Sequence, residues 1–218
     1  MRIAVLGTGF VGRTLAARLV DVGHEVVLAS RSPASDRALR WRRTVGGRGS
    51  ISTYAEAAEA ASLVVNATAG RASLEALDAA GADALAGKVV MDVANPVLAD
   101  DVDPPVLAPI LDRSLGERLQ ERFPRTYVVK ALNTVSPLVM TRPARVPGDH
   151  VAFISGNNRQ AKGVVTGLLA EFGWPVESIV DLGDISGARG MELLTPLRQR
   201  LTRSFGHSRF NLGVVRTS

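Results

Sequence analysis

The sequence predicts an open, doubly wound α/β sheet, and three observations lead there. Short apolar runs alternate along the chain with stretches of helical periodicity, the pattern of parallel strands joined by crossover helices. The first run, Ile3 to Leu6, ends in Gly7-Thr8-Gly9-Phe10-Val11-Gly12 and passes directly into a helical pattern. Three later runs end in an asparagine, Asn66, Asn95 and Asn133, at the carboxyl ends where such sheets open onto a ligand crevice.

The glycine turn has a specific physical reading. Gly7 lets the chain turn tightly off the strand, Gly9 leaves no side chain between the backbone and a bound pyrophosphate, and Gly12 lets helix and strand pack closely. The phosphates then face the free amides at the positive end of the helix. Glycine-rich turns also serve simply as turns. Here the preceding strand, the amphipathic helix with Val11, Leu15, Leu19 and Val20 on one face, and a second strand supply the context of a dinucleotide-binding Rossmann unit.

That helix ends near Gly23, and His24 to Leu28 reads as the second strand, leading into Ala29-Ser30-Arg31. An NAD site carries an acidic side chain at this tip to bind the adenosine ribose; this chain carries a hydroxyl and a cation instead. Ser30 and Arg31 suit a ribose phosphate, and Arg37, on the following helix, can add to the pocket, whereas Arg40 reads as surface charge. NADP(H) is therefore expected over NAD(H).

Beyond a loop at Gly46 to Ser50, the expected elements are a short strand over Ile51 to Thr53, a helix over Ala55 to Ala61, and a strand over Leu63 to Val65. That strand leads into Asn66-Ala67-Thr68-Ala69-Gly70. A helix over Leu74 to Ala80 and a strand over Lys88 to Val93 follow, closing in Ala94-Asn95-Pro96, and then a proline-rich linker. The pattern continues with a helix over Leu115 to Arg122 and a strand over Tyr127 to Lys130 before Asn133. Val151 to Ser155 reads as a strand, Gln160 to Phe172 as a helix and Ser178 to Leu182 as a strand. An irregular loop over Gly183 to Gly190, a helix over Met191 to Phe205 and a last strand over Phe210 to Val215 complete the chain. The division expected is a nucleotide-binding domain over 1–140 and a small C-terminal α/β extension over 141–218 that packs on it and covers the crevice.

Composition narrows the function. There is no cysteine, which excludes disulfides, thiolate metal sites and a cysteine nucleophile. The N-terminal apolar run is too short for a signal peptide and no stretch is long enough to span a bilayer, so a cytoplasmic location and no membrane partner are expected. Of the 26 basic residues only Lys88, Lys130 and Lys162 are lysines, and the formal charge is +5. The arginines are dispersed without interleaved aromatics, which argues against nucleic acid as a partner. A small-molecule substrate and a homo-oligomer are expected.

The strand-end amides can bind a carboxamide or a ring carbonyl, although asparagine also ends strands because it forms local turns. They cannot exchange protons at neutral pH. His24, His150 and His207 have no motif partner, and Lys130 is the one candidate proton donor at the crevice, with a surface lysine the alternative.

Several phrases then agree with one family. Gly7 to Gly12 with Ser30-Arg31, Asp92-Val93-Ala94-Asn95-Pro96, Val129 to Val135, Phe153 to Asn157, and Asp181 to Gly190 with Thr195-Pro196 downstream resemble the coenzyme F420-dependent NADP oxidoreductases, in order and over nearly the whole chain. The resemblance implies hydride transfer between NADPH and a deazaflavin, or a related flavin, stacked in the crevice. It implies that Thr8, Gly9, Phe10 and Val11 hold the pyrophosphate and Ser30 and Arg31 the ribose phosphate. Thr68 and Asn95 would lie at the nicotinamide end, with Asn133, Arg189 and Thr195 toward the second cofactor, whose acidic tail Arg198, Arg200 and Arg203 could attract. The chain departs from archaeal members at Asn133, where they carry histidine, and at Leu193, where they carry serine. Two other readings stay open: an NADPH-dependent small-molecule reductase of the imine or hydroxyacid kind, with Lys130 as proton donor, and a non-enzymatic NADP(H) sensor.

Overall fold

A computed structural model describes residues 1–99, 106–107, 112–215 and 217. The first half runs β1 (Arg2–Leu6), α1 (Phe10–Asp21), β2 (Glu25–Ala29), α2 (Asp36–Val45), β3 (Gly49–Ser52), α3 (Tyr54–Ala60), β4 (Leu63–Asn66), α4 (Ser73–Ala80), α5 (Ala82–Leu85) and β5 (Val89–Asp92). The second half runs β6 (Val97–Ala99), β7 (Val106–Leu107), α6 (Leu115–Arg122), β8 (Tyr127–Ala131), α7 (Pro137–Met140), β9 (Ala152–Gly156), α8 (Arg159–Phe172), β10 (Ile179–Asp181) and α9 (Ala188–Phe205).

Eight strands form one sheet in the order β10-β9-β8-β5-β4-β1-β2-β3. From β3 to β8 every pairing is parallel, and the register sets Leu6 against Asn66, Asn66 against Asp92 and Asp92 against Lys130. Four strand ends thus stand in one row. The chain order reverses at β1, which pairs with β2 on one side and β4 on the other, so the glycine turn after β1 opens at the switch point where such sheets bind ligands.

The sheet is not parallel throughout, as the sequence pattern had suggested. β9 pairs antiparallel with β8, and β10 runs parallel to β9. Residues 132–151 contain only the four-residue α7 and a single 3-10 turn at Pro143–Arg145, too little to carry the chain back along the sheet. The chain therefore re-enters from the carboxyl edge, and α8 then makes an ordinary crossover to β10.

Three further expectations are corrected. The loop expected over Gly183 to Gly190 is shorter, because a 3-10 turn at Ile185–Gly187 feeds straight into α9, which puts Arg189 and Gly190 in the first helical turn. No strand forms over Phe210 to Val215: the Val151 N–H donates to the Leu212 carbonyl at 3.0 Å, but the Val151 carbonyl accepts from the Asn211 side chain at 2.8 Å, and Phe210 packs edge-on against Phe205. Within the proline-rich linker β6 and β7 pair antiparallel, and residues 100–105 and 108–111 of it lie outside the described residues.

Two cores flank the sheet. One joins the strands to α1, α8, Trp41 and Trp174, and the other joins them to α3, α4, α6 and the start of α9. Among the described residues no helix is long and apolar enough to cross a membrane.

Candidate functional site

The glycine turn is built as its spacing requires. Gly7 sits at φ +113°, where a Cβ would come within 2.6 Å of the Ala67 carbonyl oxygen. A Cβ at Gly12 would overlap the Gly7 carbonyl oxygen, so α1 packs against the turn only because Gly12 has none. Gly9 is different: nothing lies within 4 Å of the position of its Cβ. It is the N-cap of α1, Arg13 N–H donates to its carbonyl at 3.1 Å, and the amides of the first turn have no partner within the helix. An open concavity beside helix-end N–H groups fits a pyrophosphate.

At the tip of β2, Ser30 is buried and its Oγ accepts the Ser32 N–H at 3.2 Å. Arg31 is exposed, with one guanidinium nitrogen 3.8 Å from Glu75 of α4. Arg37 is exposed on the first turn of α2.

The three asparagines have separate fates. Asn66 is fully buried; its Nδ2 donates to Asp92 at 2.8 Å and Ser73 at 3.0 Å, and its Oδ1 accepts from the Thr68 hydroxyl at 2.7 Å. Its amide is used up inside the fold, where it holds Thr68 in place. Asn95 and Asn133 instead clasp each other. Asn95 Nδ2 donates to the Asn133 carbonyl at 2.8 Å, and Asn133 Nδ2 donates back to Asn95 Oδ1 at 2.9 Å. The helix α9 joins the clasp: Thr195 Oγ1 donates to Asn95 Oδ1 at 3.0 Å and the Met191 carbonyl accepts from Asn133 Nδ2 at 3.0 Å. The chain turns into this arrangement through Leu132, a buried residue at φ +57°, a conformation that side chains other than glycine adopt at a cost.

These residues border a crevice of about 260 Å³ that Val11, Ala67, Thr68, Asn95, Asn133 and Arg198 help to line. Two of its lining residues each carry one buried polar atom without a partner among the described residues, Asn133 Oδ1 and Arg198 Nε. The Asn133 orientation is fixed, because both neighbours of its Nδ2 are acceptors. Burial pushes the Arg198 guanidinium down from its ordinary value.

Beneath the crevice lies a buried ionic row. Lys130 Nζ lies 2.9 Å from Asp92 Oδ2 and 2.8 Å from Glu192 Oε1, and all three side chains are fully buried. Burial alone would lower the Lys130 pKa, but the two carboxylates together hold it above its ordinary value. Glu192 also accepts the Leu115 N–H at 2.8 Å and the Gly116 N–H at 3.1 Å, so α9 caps the N-terminus of α6. Arg189 grips Glu117 through both Nε and Nη2, while Ser114 and Glu117 form a capping box on the same helix. Burial raises the Glu117 carboxyl, but bonds from Arg189 and Ser114 outweigh it and bring it down to about 2.

Comparison with known proteins agrees with this geometry. Residues 2–96 match the family described as NADP oxidoreductase, coenzyme F420-dependent. The F420-dependent NADP reductase of Methanothermobacter marburgensis is 30% identical over 209 residues, covering 90% of each chain. The chain belongs to the coenzyme F420-dependent NADP oxidoreductase family. A crystal structure from Arthrobacter sp. FB24, described as a candidate F420-dependent NADP reductase, has a TM-score of 0.93 with 43% identity over 98% of this chain and 99% of that one. The metalloreductase STEAP3 of Rattus norvegicus is 31% identical over 199 residues, and this chain spans only 36% of its length. A reductive aminase of Aspergillus terreus in complex with NADPH and ethyl-5-oxohexanoate shares the fold alone, at TM-score 0.67 and 20% identity over 94% of this chain and 63% of that one.

The protein is thus an NADP-dependent oxidoreductase of the F420-dependent type, with NADP(H) as its cofactor. The structure brings Val11, Ala67, Thr68, Asn95, Asn133 and Thr195 to one crevice and leaves Asn66 behind its wall. Pro96 is buried beside it, lining a smaller neighbouring cavity. Arg189 faces Glu117 and not the crevice lining, and Leu193 is exposed. Lys130 is sequestered, which removes it as a proton donor to the crevice. Sequence reasoning quoted Asp92 in a motif without giving it a role and missed Glu192, which no local pattern ties to Lys130, as well as Gln199 and Arg71 in the crevice lining.

Proposed function

We propose that the protein transfers a hydride between NADPH and a deazaflavin, coenzyme F420 or a related flavin, with both ring systems in the crevice at the strand ends. When bound, NADPH supplies the hydride and the deazaflavin is the substrate that accepts it. The chain's own contribution is to bind, orient and keep water out. Gly7, Thr8, Gly9, Phe10, Val11 and Gly12 cradle the pyrophosphate; Ser30, Arg31 and Arg37 take the ribose phosphate. Ala67, Thr68, Asn95 and Pro96 border the nicotinamide end, kept in place by Asn66. Asn133 and Thr195 face the acceptor, and residues 141–218 cover it, with Arg189 positioning the start of α9 through Glu117.

The observation that carries this reading is the unmet hydrogen-bonding capacity of the crevice. Two lining residues, Asn133 and Arg198, each carry a closed-off polar atom that the fold leaves unmet, the acceptor Oδ1 and the donor Nε, and a small side-chain shift on binding would turn them to a ring edge that presents both an N–H and a carbonyl. The described lining contains no histidine, lysine or carboxylate to protonate an imine nitrogen or a carbonyl oxygen as the hydride arrives, whereas hydride transfer between stacked rings leaves the new charge spread over the acceptor ring, whose nitrogen takes its proton from solvent after the transfer. The test is to mix enzyme, NADPH and oxidised deazaflavin and follow the deazaflavin's visible absorbance. Bleaching is expected; no bleaching, with turnover of FMN or a ferric chelate instead, overturns the deazaflavin half and leaves the NADPH half standing.

A further inference from the structure

A second cavity, of about 430 Å³, follows the outer face of α1 between α2 and the segment from α7 to Arg145. It is larger than the crevice and its charge is one-sided. Arg13, Arg18, Arg40, Arg142 and Arg145 line it, against the single carboxylate of Asp21. Those charges are poorly neutralised. Arg13 donates to the Thr8 carbonyl, and Arg18 to the Glu171 and Phe172 carbonyls at 3.1 and 3.3 Å, so both are held in place by neutral groups. Arg142 meets Asp21 only at 3.6 Å in an exposed pair, and Arg40 and Arg145 form no ion pair among the described residues. The floor includes Trp41, 4% exposed, whose indole N–H has no acceptor among the described residues.

Position gives the cavity its meaning. Phe10 and Leu138 line the groove, and their chain neighbours Val11 and Pro137 line the strand-end crevice, so the two share a rim. From Phe10 to Asp21 the groove follows α1 for about 16 Å at 1.5 Å per residue. We infer that this groove is an oligo-anion site that receives the acidic tail of an acceptor whose ring lies in the crevice. This rests on the deazaflavin reading for the identity of the tail, but not for the charge of the groove. A compact anion would need one cluster of donors; cations spread along a helix face suit a flexible chain bearing several carboxylates or phosphates, and they raise its local concentration through the summed field.

The test uses the double variant Arg40→Glu/Arg145→Glu, whose two side chains are exposed and form no ion pair among the described residues. With NADPH saturating, KM is measured for intact deazaflavin and for the same ring system without its anionic tail. For intact acceptor we expect KM to rise about 10-fold, from two exposed charge contacts reversed, with kcat unchanged. The tail-less acceptor should not discriminate between the proteins, and salt should weaken only the pairing of the unmutated protein with intact acceptor. An unchanged KM for intact acceptor overturns the assignment. A second measurement needs no turnover: with NADP⁺ saturating the nucleotide site, tripolyphosphate is titrated while tryptophan fluorescence is followed, Trp41 being the groove's own reporter. Saturable quenching that the variant loses keeps the groove as an oligo-anion site even if deazaflavin proves not to be the acceptor. No saturable binding at low salt overturns the groove itself.

Discussion

Replacing Gly9 and Gly12 separately should dissociate nucleotide binding from folding. Gly9 has φ −66° and ψ −179°, extended backbone open to any residue, and nothing lies within 4 Å of its Cβ position. Gly9→Val should therefore cost the fold only the weaker N-cap, on the order of 1 kcal/mol. The new side chain fills the concavity in front of the helix-end amides. Loss of two charge-assisted phosphate bonds, at about 1.5–3 kcal/mol each, amounts to roughly 3–6 kcal/mol, at least ~100-fold in Kd for NADPH. Gly12→Ala is the opposite case, because its Cβ would overlap the Gly7 carbonyl oxygen and α1 would have to lift off the turn. That overpacking should cost about 1–3 kcal/mol or more and lower Tm. Thermal unfolding and NADPH titration on the same samples read both effects. A folded Gly9→Val protein with ordinary NADPH affinity, or a Gly12→Ala protein with unchanged Tm, would refute the argument.

Three further outcomes are expected. Arg31→Ala should weaken NADPH binding by about 10-fold or more while leaving NADH binding unchanged, as titration with both nucleotides will show; equal losses for the two would mean that Arg31 does not read the phosphate. Lys130→Met should destabilise by about 3–5 kcal/mol, because Asp92 and Glu192 are left as buried unpaired carboxylates, yet kcat of the folded fraction and its pH profile should barely move; a collapsed kcat at unchanged Tm would restore Lys130 as a proton donor. Glu117 is held at about 2 against an ordinary 4.5, so its stabilising contribution is complete above about pH 4.5 and is lost as pH falls toward 2. With partial solvent screening of Arg189 this is on the order of 2 kcal/mol, and Arg189→Gln should flatten that part of the acid unfolding curve, an outcome read from denaturant midpoints across the same pH range.

Much of the fold was legible because its cues are local. The apolar runs that became β1, β2, β4, β5 and β8 are bounded by glycine, asparagine or polar turns, and α6 carries a Ser114–Glu117 capping box at the residue where the pattern starts. What could not be read locally is direction. Nothing in Val151 to Ser155 distinguishes a parallel strand from an antiparallel one; the choice follows from the length and geometry of the connection after β8. The same holds for residues 210–215, where a good strand pattern yields one backbone bond, from the Val151 N–H to the Leu212 carbonyl, while the Asn211 amide takes the Val151 carbonyl and Phe210 packs on Phe205.

The site shows where such reading runs out. Asn66, Asn95 and Asn133 look alike in sequence, each an amide at a strand end, and their roles diverge only because of what other elements bring to them. Asn66 is met by Asp92 from β5 and Ser73 from α4, so its polar capacity is consumed behind the wall. Asn95 and Asn133 are met by the last helix, through Thr195 and the Met191 carbonyl, 58 or more residues downstream. That helix is held from below by the same ionic row that removes Lys130 from the crevice, since Glu192 binds Lys130 with one carboxylate oxygen and the N-terminus of α6 with both. A lysine that sequence alone offers as a proton donor is instead tied to the last helix through Glu192. The crevice keeps amide, hydroxyl and guanidinium groups on its described polar wall, a set that can orient a ring and follow a redistribution of charge but holds no side chain that titrates near neutral pH.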